Sequence, residues 1–325
     1  MPASTKSRFK HIVIVSNPAS TNAGRLKRRT AELNKLFKGY AEVIDLKTSS
    51  GGRKANKKLI LENKQLLGPD TLLCIAAGDG TVNLVIETLL SEPALSEKMR
   101  QTPILPLWGG NANDLAHMLN GYSLFAQLGR IFDKGSIVEI NPLRVSLTYA
   151  GNKETRLATC YASFGATAYA AHRINNPSHR RSKFRNIQGL RRLVEIKTVV
   201  RAFLDVPMFR VKENGSVSNI YEYALINGSR IAKMERLPLR LTDDGFYLAK
   251  IYRKHPIVIL YILQILRRRK FGRVTSNRRD FIVIEPTWLQ LDGEVIKLQK
   301  NTRVEIELNQ EPFFALSKRL SKRTT

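Results

Sequence analysis

Two patterns of apolar and polar positions divide the chain. In the first, short apolar runs alternate with stretches of helical period. His11 to Ser16 is a β-branched run that ends in a polar loop, Asn17 to Arg25, and leads into an amphipathic helix carrying Leu26, Leu33, Leu36 and Phe37. Ala41 to Leu46 predicts a second strand ending at Thr48, and Lys54 to Leu67 a crossover helix. Leu72 to Ile75 reads as a buried strand; after a glycine turn, Val82, Val85, Ile86, Leu89 and Leu90 recur at helical spacing. Thr102 to Leu107 is the next strand, and it runs into a second small-residue turn, Trp108 to Ala116. Strands alternating with helices predict an α/β, doubly wound, mostly parallel sheet.

After Phe132 the period changes. Val138 to Leu147, Leu157 to Ser163, Ile220 to Asn227, Phe246 to Arg253, Phe281 to Glu285, Thr287 to Leu291 and Val304 to Leu308 are short runs expected to be linked by turns instead of helices. That pattern predicts a C-terminal β-sandwich or open barrel. The expected division is 1–136 and 137–308, with 309–325 returning to the first domain past Pro312.

Charge narrows the partners. A chain of 325 residues with 54 Lys and Arg against 27 Asp and Glu carries +27, which calls for an acidic partner. Nucleic acid would favour basic residues interleaved with aromatics, and no such spacing stands out. Acidic residues are absent between Glu154 and Glu195 and again from Phe246 to Arg279. Within the second region Ile257 to Leu266 is an apolar stretch closed by Arg267, Arg268, Arg269 and Lys270. Ten residues of helix rise about 15 Å. The stretch therefore reads either as an interfacial anchor for an anionic membrane or as a core helix with a cationic end. No run reaches the length of a membrane span, the N-terminus lacks the apolar core of a signal peptide, and two cysteines in strand-like runs point to a reducing compartment. A cytoplasmic protein peripheral to a membrane is the expectation; oligomeric state is not legible, and a dimer stays open.

Three places carry candidate chemistry. At Gly78-Asp79-Gly80-Thr81 glycines allow close approach of an anion to a helix start, while Asp79 would repel bare phosphate and so points to a metal–nucleotide complex; the turn could equally use these residues for geometry alone. Asn113 and Asp114 stand at the second turn as ligands or as helix caps. Asp292-Gly293-Glu294 ends an alternating strand, as a hairpin turn or as a pair of carboxylates of which one takes a proton from a hydroxyl.

Together Asn17-Pro18, Thr48, Gly78 to Asn83, Gly110 to Ala116, Ser163-Phe164-Gly165, Asp244-Gly245 and Asp292-Gly293-Glu294 resemble the diacylglycerol kinase catalytic family, which includes bacterial lipid kinases, sphingosine kinase and ceramide kinase. The resemblance implies an ATP-binding α/β domain, a β-sandwich lipid domain, an active site in the cleft between them, and transfer of the ATP γ-phosphoryl group to a lipid hydroxyl, on diacylglycerol or a sphingoid-type acceptor. It implies nucleotide contacts from Asn17, Pro18, Ala19, Ser20, Thr21, Arg25, Thr48, Gly78, Asp79, Gly80, Thr81, Val82, Asn83, Asn111 and Asn113, and magnesium held by Asp79 and Asp114. Asp292 or Glu294 would be the base. A second, structural magnesium would sit at Asp244 with the carbonyls of Leu241 and Phe246. Three positions depart from the family pattern: Ala77 replaces a glycine, Asn111 a threonine, and Asn141 an aspartate of the magnesium network, for which Glu139 is the expected substitute. A soluble nucleotide kinase of the NAD kinase type and a catalytically silent lipid-binding module are the alternatives.

Overall fold

The computed structural model describes residues 8–18, 23–37, 41–48, 52–109, 113–121, 128–175, 188–231, 234–235, 241, 244–253 and 277–318. The chain forms two units, Met1–Pro142 with Asn309–Thr325, and Leu143–Leu308. In the first, β1 (His11–Ser16), α1 (Ala23–Phe37), β2 (Glu42–Lys47), α2 (Gly52–Glu62), β3 (Thr71–Ala76), α3 (Asp79–Ser91), the single-turn α4 (Glu97–Arg100), β4 (Ile104–Pro106), α5 (Asp114–Asn120), α6 (Leu128–Lys134) and β5 (Ser136–Ile140) follow one another. All six residues of β3 are buried, which is why this strand reads as a continuous apolar run without alternation. It pairs in parallel with β1 and β4, and β1 in parallel with β2. Ion pairs Arg53 to Glu87 and Lys57 to Glu92 fasten α2 to α3.

The second unit begins with β6 (Leu143–Tyr149), β7 (Asn152–Ala158) and β8 (Tyr161–Gly165), followed by α7 (Ala166–Asn175) and α8 (Gln188–Asp205). Then come β9 (Phe209–Glu213), β10 (Ser216–Ile220), β11 (Glu222–Ile226), the short ribbon β12 (Arg230–Ile231) and β13 (Met234–Glu235), β14 (Tyr247–Ile251), β15 (Arg278–Val283), β16 (Thr287–Leu291), β17 (Glu294–Leu298) and β18 (Thr302–Leu308). Two antiparallel sheets result, ordered β10-β9-β15-β18-β6-β7 and β14-β11-β8-β16-β17. Their alternating residues meet in one core that includes Val145, Phe164, Tyr223, Phe281, Leu289 and Ile306. Not all links in this unit are turns, as the sequence suggests. Helices α7 and α8 intervene and bury Ala166, Ala170, Ala202 and Phe203 against Tyr221.

The chain then returns to the first unit as β19 (Phe313–Ser317), which slots between β4, in parallel, and β5, antiparallel, completing the order β2-β1-β3-β4-β19-β5. Because β5 belongs to this sheet, the first unit runs to Pro142, and the run expected as one strand from Val138 breaks at Asn141-Pro142. The returning strand also holds α5: Ser317 Oγ donates to the Leu119 carbonyl at 2.7 Å, Asn120 Nδ2 donates to the Leu316 carbonyl at 3.2 Å, and Asn120 Oδ1 accepts from the Lys318 N–H at 2.9 Å. Among the described residues no helix is long and apolar enough to cross a membrane.

Candidate active site

Parallel pairing puts the carboxyl ends of the central strands level, with Ser16 in register with Lys47 on one side and Ala76 on the other. Candidate ligand groups follow these ends directly, where open α/β sheets bind ligands. Asn17 Nδ2 donates to Thr81 Oγ1 at 3.2 Å, joining the first loop to the start of α3. Thr48 is fixed by its N–H to the Ser16 carbonyl at 2.8 Å; its Oγ1 is buried with no hydrogen-bond partner among the described residues. Gly78 is the extended N-cap of α3. A Cβ on Gly80 would meet nothing within 4 Å, so the helix start, where N–H groups lack intrahelical acceptors, opens on space.

Asp79 joins the two small-residue turns. Its Oδ2 accepts the Asn113 N–H at 2.9 Å and its Oδ1 the Asp114 N–H at 3.2 Å, so the first residue of α3 caps α5. Asn113 adopts the left-handed conformation, φ 55°, to turn into that helix. Gly109 supports the junction from below: a Cβ there would lie 2.6 Å from the Ala77 backbone carbonyl. Ala77 is buried at this contact, so close approach of the two turns rests on the glycine at 109 and not on one at 77. Val82, Asn83 and Asp114 are buried, whereas Pro18 is exposed. Ala19, Ser20, Thr21 and Asn111 lie outside the described residues, as do the side chain of Arg25 and the whole of 257–266.

Asp79 and Asp114 are hard-oxygen donors brought together at the starts of α3 and α5, and a carboxylate oxygen that accepts one N–H retains a lone pair. The donor set fits magnesium in kind. Asn141, by contrast, donates its Nδ2 to the carbonyls of Asn309 at 2.8 Å and Gln310 at 3.4 Å. An aspartate could not make those bonds, so the residue serves the crossing of the returning chain; Glu139 is exposed on β5. Asp244 is exposed beside Gly245, whose φ of 146° only glycine adopts readily, while Leu241 and Phe246 are buried.

In the second unit Asp292 and Gly293, both with positive φ, form the two-residue turn between β16 and β17, closed by the pair Leu291 and Glu294. The two carboxylates have different surroundings. Asp292 is 3% exposed, and its carboxylate accepts the Thr159 N–H, the Thr159 hydroxyl at 2.8 Å, and the N–H groups of Cys160 at 2.9 Å and Tyr161 at 3.0 Å. Burial pushes its carboxyl above the usual range while these donors pull it back. This claim on the backbone breaks the expected strand from Leu157 at Thr159-Cys160. Glu294 has a side chain 32% exposed and meets Arg156 at 2.6 Å. Gly293 is held from α7 by Asn175 Nδ2 at 3.1 Å. Arg156 and Thr159 contact these carboxylates without any local sequence pattern that singles them out, whereas Gly109 lies inside the second small-residue turn.

Level strand ends leading to a glycine-led helix start are the arrangement at which open α/β sheets bind their ligands. The model of the diacylglycerol kinase catalytic domain matches residues 11–145, the stretch that holds the first unit's sheet up to β5 and both small-residue turns. Solved structures extend the likeness of fold to nearly the whole chain. A Bacillus anthracis protein provisionally named a diacylglycerol kinase is 15% identical with a TM-score of 0.67, and 98% of each chain is covered. A diacylglycerol kinase from the same organism is 13% identical with a TM-score of 0.61, covering 96% of this chain and 98% of its own. Yeast NADH kinase in complex with NADH is 10% identical with a TM-score of 0.54, covering 98% of this chain and 88% of its own. No curated protein matches the sequence.

Proposed function

We propose that the protein is an ATP-dependent lipid kinase that phosphorylates a lipid hydroxyl at an anionic membrane surface. The observation that carries this reading is the difference between the two turn carboxylates. Asp292 is sealed under four donors, while Glu294 beside it is partly exposed, paired with Arg156 and suited to accept a hydroxyl proton. Asp292 therefore fixes the hairpin, and Glu294 is the base. The first-turn N–H groups of α3, Thr81 and Asn17 bind the ATP phosphates, and Thr48 Oγ1 is placed for a nucleotide hydroxyl or base edge. Asp79 and Asp114 would hold magnesium, which when bound with ATP neutralises charge that develops on the transferred group. Asp244 with the carbonyls of Leu241 and Phe246 is proposed as a second, structural magnesium site. The formal charge of +27 supports docking on anionic lipid, so activity on vesicles falls as salt is added.

The fold shared with NADH kinase supports a second reading, a dinucleotide acceptor. Incubation with γ-labelled ATP, a lipid extract and NAD in parallel separates the two. Label in the organic phase supports the lipid kinase; label in the dinucleotide, or none in either, refutes it.

A further inference from the structure

Glu294 opens β17, an edge strand of one sheet, and Arg156 lies on β7, an edge strand of the other. The guanidinium crosses from edge to edge. Its Nη2 donates to Glu294 Oε1 at 2.6 Å, and its Nη1 donates to Glu154 Oε1 at 3.0 Å. Glu154 and Arg156 stand two residues apart on one strand and so share a face. The Arg156 side chain is 13% exposed, less than either partner, at 43% for Glu154 and 32% for Glu294. A planar fork with one arm held by a neighbour on its own strand has little rotational freedom left, and its second arm fixes where the Glu294 oxygen lies. The backbone of Glu294 is already fixed by the Asp292 turn and by the Asn175 contact to Gly293. Arg156 adds a constraint on the side chain.

We infer that Arg156, held by Glu154, is a positioning residue that orients the Glu294 carboxylate toward the acceptor hydroxyl. The inference rests on Glu294 being the base. It does not require Arg156 to touch ATP or lipid. Both glutamates remain partly open to solvent, which screens the bridge and keeps its contribution to stability modest, so its value lies in direction. Misplacement of a reacting group by about 1 Å can cost on the order of a hundredfold in rate.

The test is a double-mutant cycle on the full chain with labelled ATP and diacylglycerol vesicles, read as kcat and as KM for each substrate. Arg156→Gln is expected to lower kcat about 10- to 100-fold with both KM values within about twofold. Arg156→Lys, which keeps the charge but cannot span both glutamates, should recover part of that loss, and Glu154→Gln should show a smaller one. In a Glu294→Gln background none of these changes should lower the residual rate further. An equal fractional loss in both backgrounds, or no loss in the wild-type background, overturns the positioning role. Full transfer by Glu294→Gln alone overturns the base assignment itself, so the two failures are told apart. If Arg156→Gln does not fold, Arg156→Lys and Glu154→Gln carry the same comparison.

Discussion

Asp292→Asn and Glu294→Gln should fail for opposite reasons. At position 292, φ is 47°, a conformation asparagine tolerates, so Asp292→Asn keeps the turn and the side-chain volume and changes only what the side chain can accept. With Oδ1 facing the Cys160 and Tyr161 N–H groups, the new Nδ2 faces the Thr159 N–H and hydroxyl. The hydroxyl can rotate and accept; the N–H cannot, and is left buried opposite another donor. An unsatisfied buried N–H costs about 1–3 kcal/mol, and two charge-assisted bonds become neutral at about 0.5–1 kcal/mol each. Relief from burying a charge offsets part of this, giving a net loss of about 2–4 kcal/mol. For a unit of this size that is a fall of about 5–15 °C in the second unit's Tm by calorimetry. Glu294→Gln should leave that transition within about 2 °C while phosphoryl transfer falls. If Asp292→Asn kept its full Tm and lost transfer, the division of labour between the two carboxylates would be refuted.

Other outcomes follow from the same packing. Gly80→Ala should keep or slightly raise stability, since the added methyl meets nothing within 4 Å in a helix, but should weaken ATP binding by crowding the phosphates at the helix start; thermal unfolding checks the first and calorimetric titration with ATP the second. Gly109→Ala should unfold or markedly destabilise the first unit, because its methyl would overlap the Ala77 backbone, with a Tm loss measurable by fluorescence. Asn141→Asp should destabilise the first unit by about 1–3 kcal/mol in urea unfolding, as a carboxylate would face the Asn309 and Gln310 carbonyls, and should not raise magnesium affinity. Glu222, buried on β11 and accepting the Thr167 N–H at 2.9 Å, is pushed up to about 7 by burial, against the pull of its Thr167 and Ala166 hydrogen bonds. Raised in the folded state, it contributes stability below its unfolded value near 4.5 that is lost as pH rises to about 7, roughly 3 kcal/mol in all. Glu222→Gln should remove that part of the Tm–pH slope; an unchanged slope counts against it.

Much of the first unit was legible because each of its signals is local. The run from Leu72 to Ile75 becomes the wholly buried β3, and the glycine turn after it becomes the start of α3. The slot of β19 between β4 and β5 was not legible, since it depends on Ser317 and Asn120 bonding across distant parts of the chain. In the second unit the turn at Thr159-Cys160 exists to feed N–H groups to a carboxylate far along the sequence, and nothing near Leu157 announces it. Helix α7 follows β8 directly at Gly165 with no linking loop to announce it, and its first turn is held by Glu222 from another strand. Arg156 and Glu294 are 138 residues apart, and only the stacking of two sheet edges makes them neighbours.

The central claim is transfer from ATP to a lipid hydroxyl with Glu294 as base. A single-turnover measurement with γ-labelled ATP and diacylglycerol vesicles, in wild type and in Glu294→Gln with ATP affinity determined on the same samples, tests it most directly. The account predicts label in the organic phase for the wild type, unchanged ATP affinity for the variant, and transfer slowed by about 10²–10⁴-fold. Equal transfer by both proteins, or label confined to water-soluble products, would contradict it.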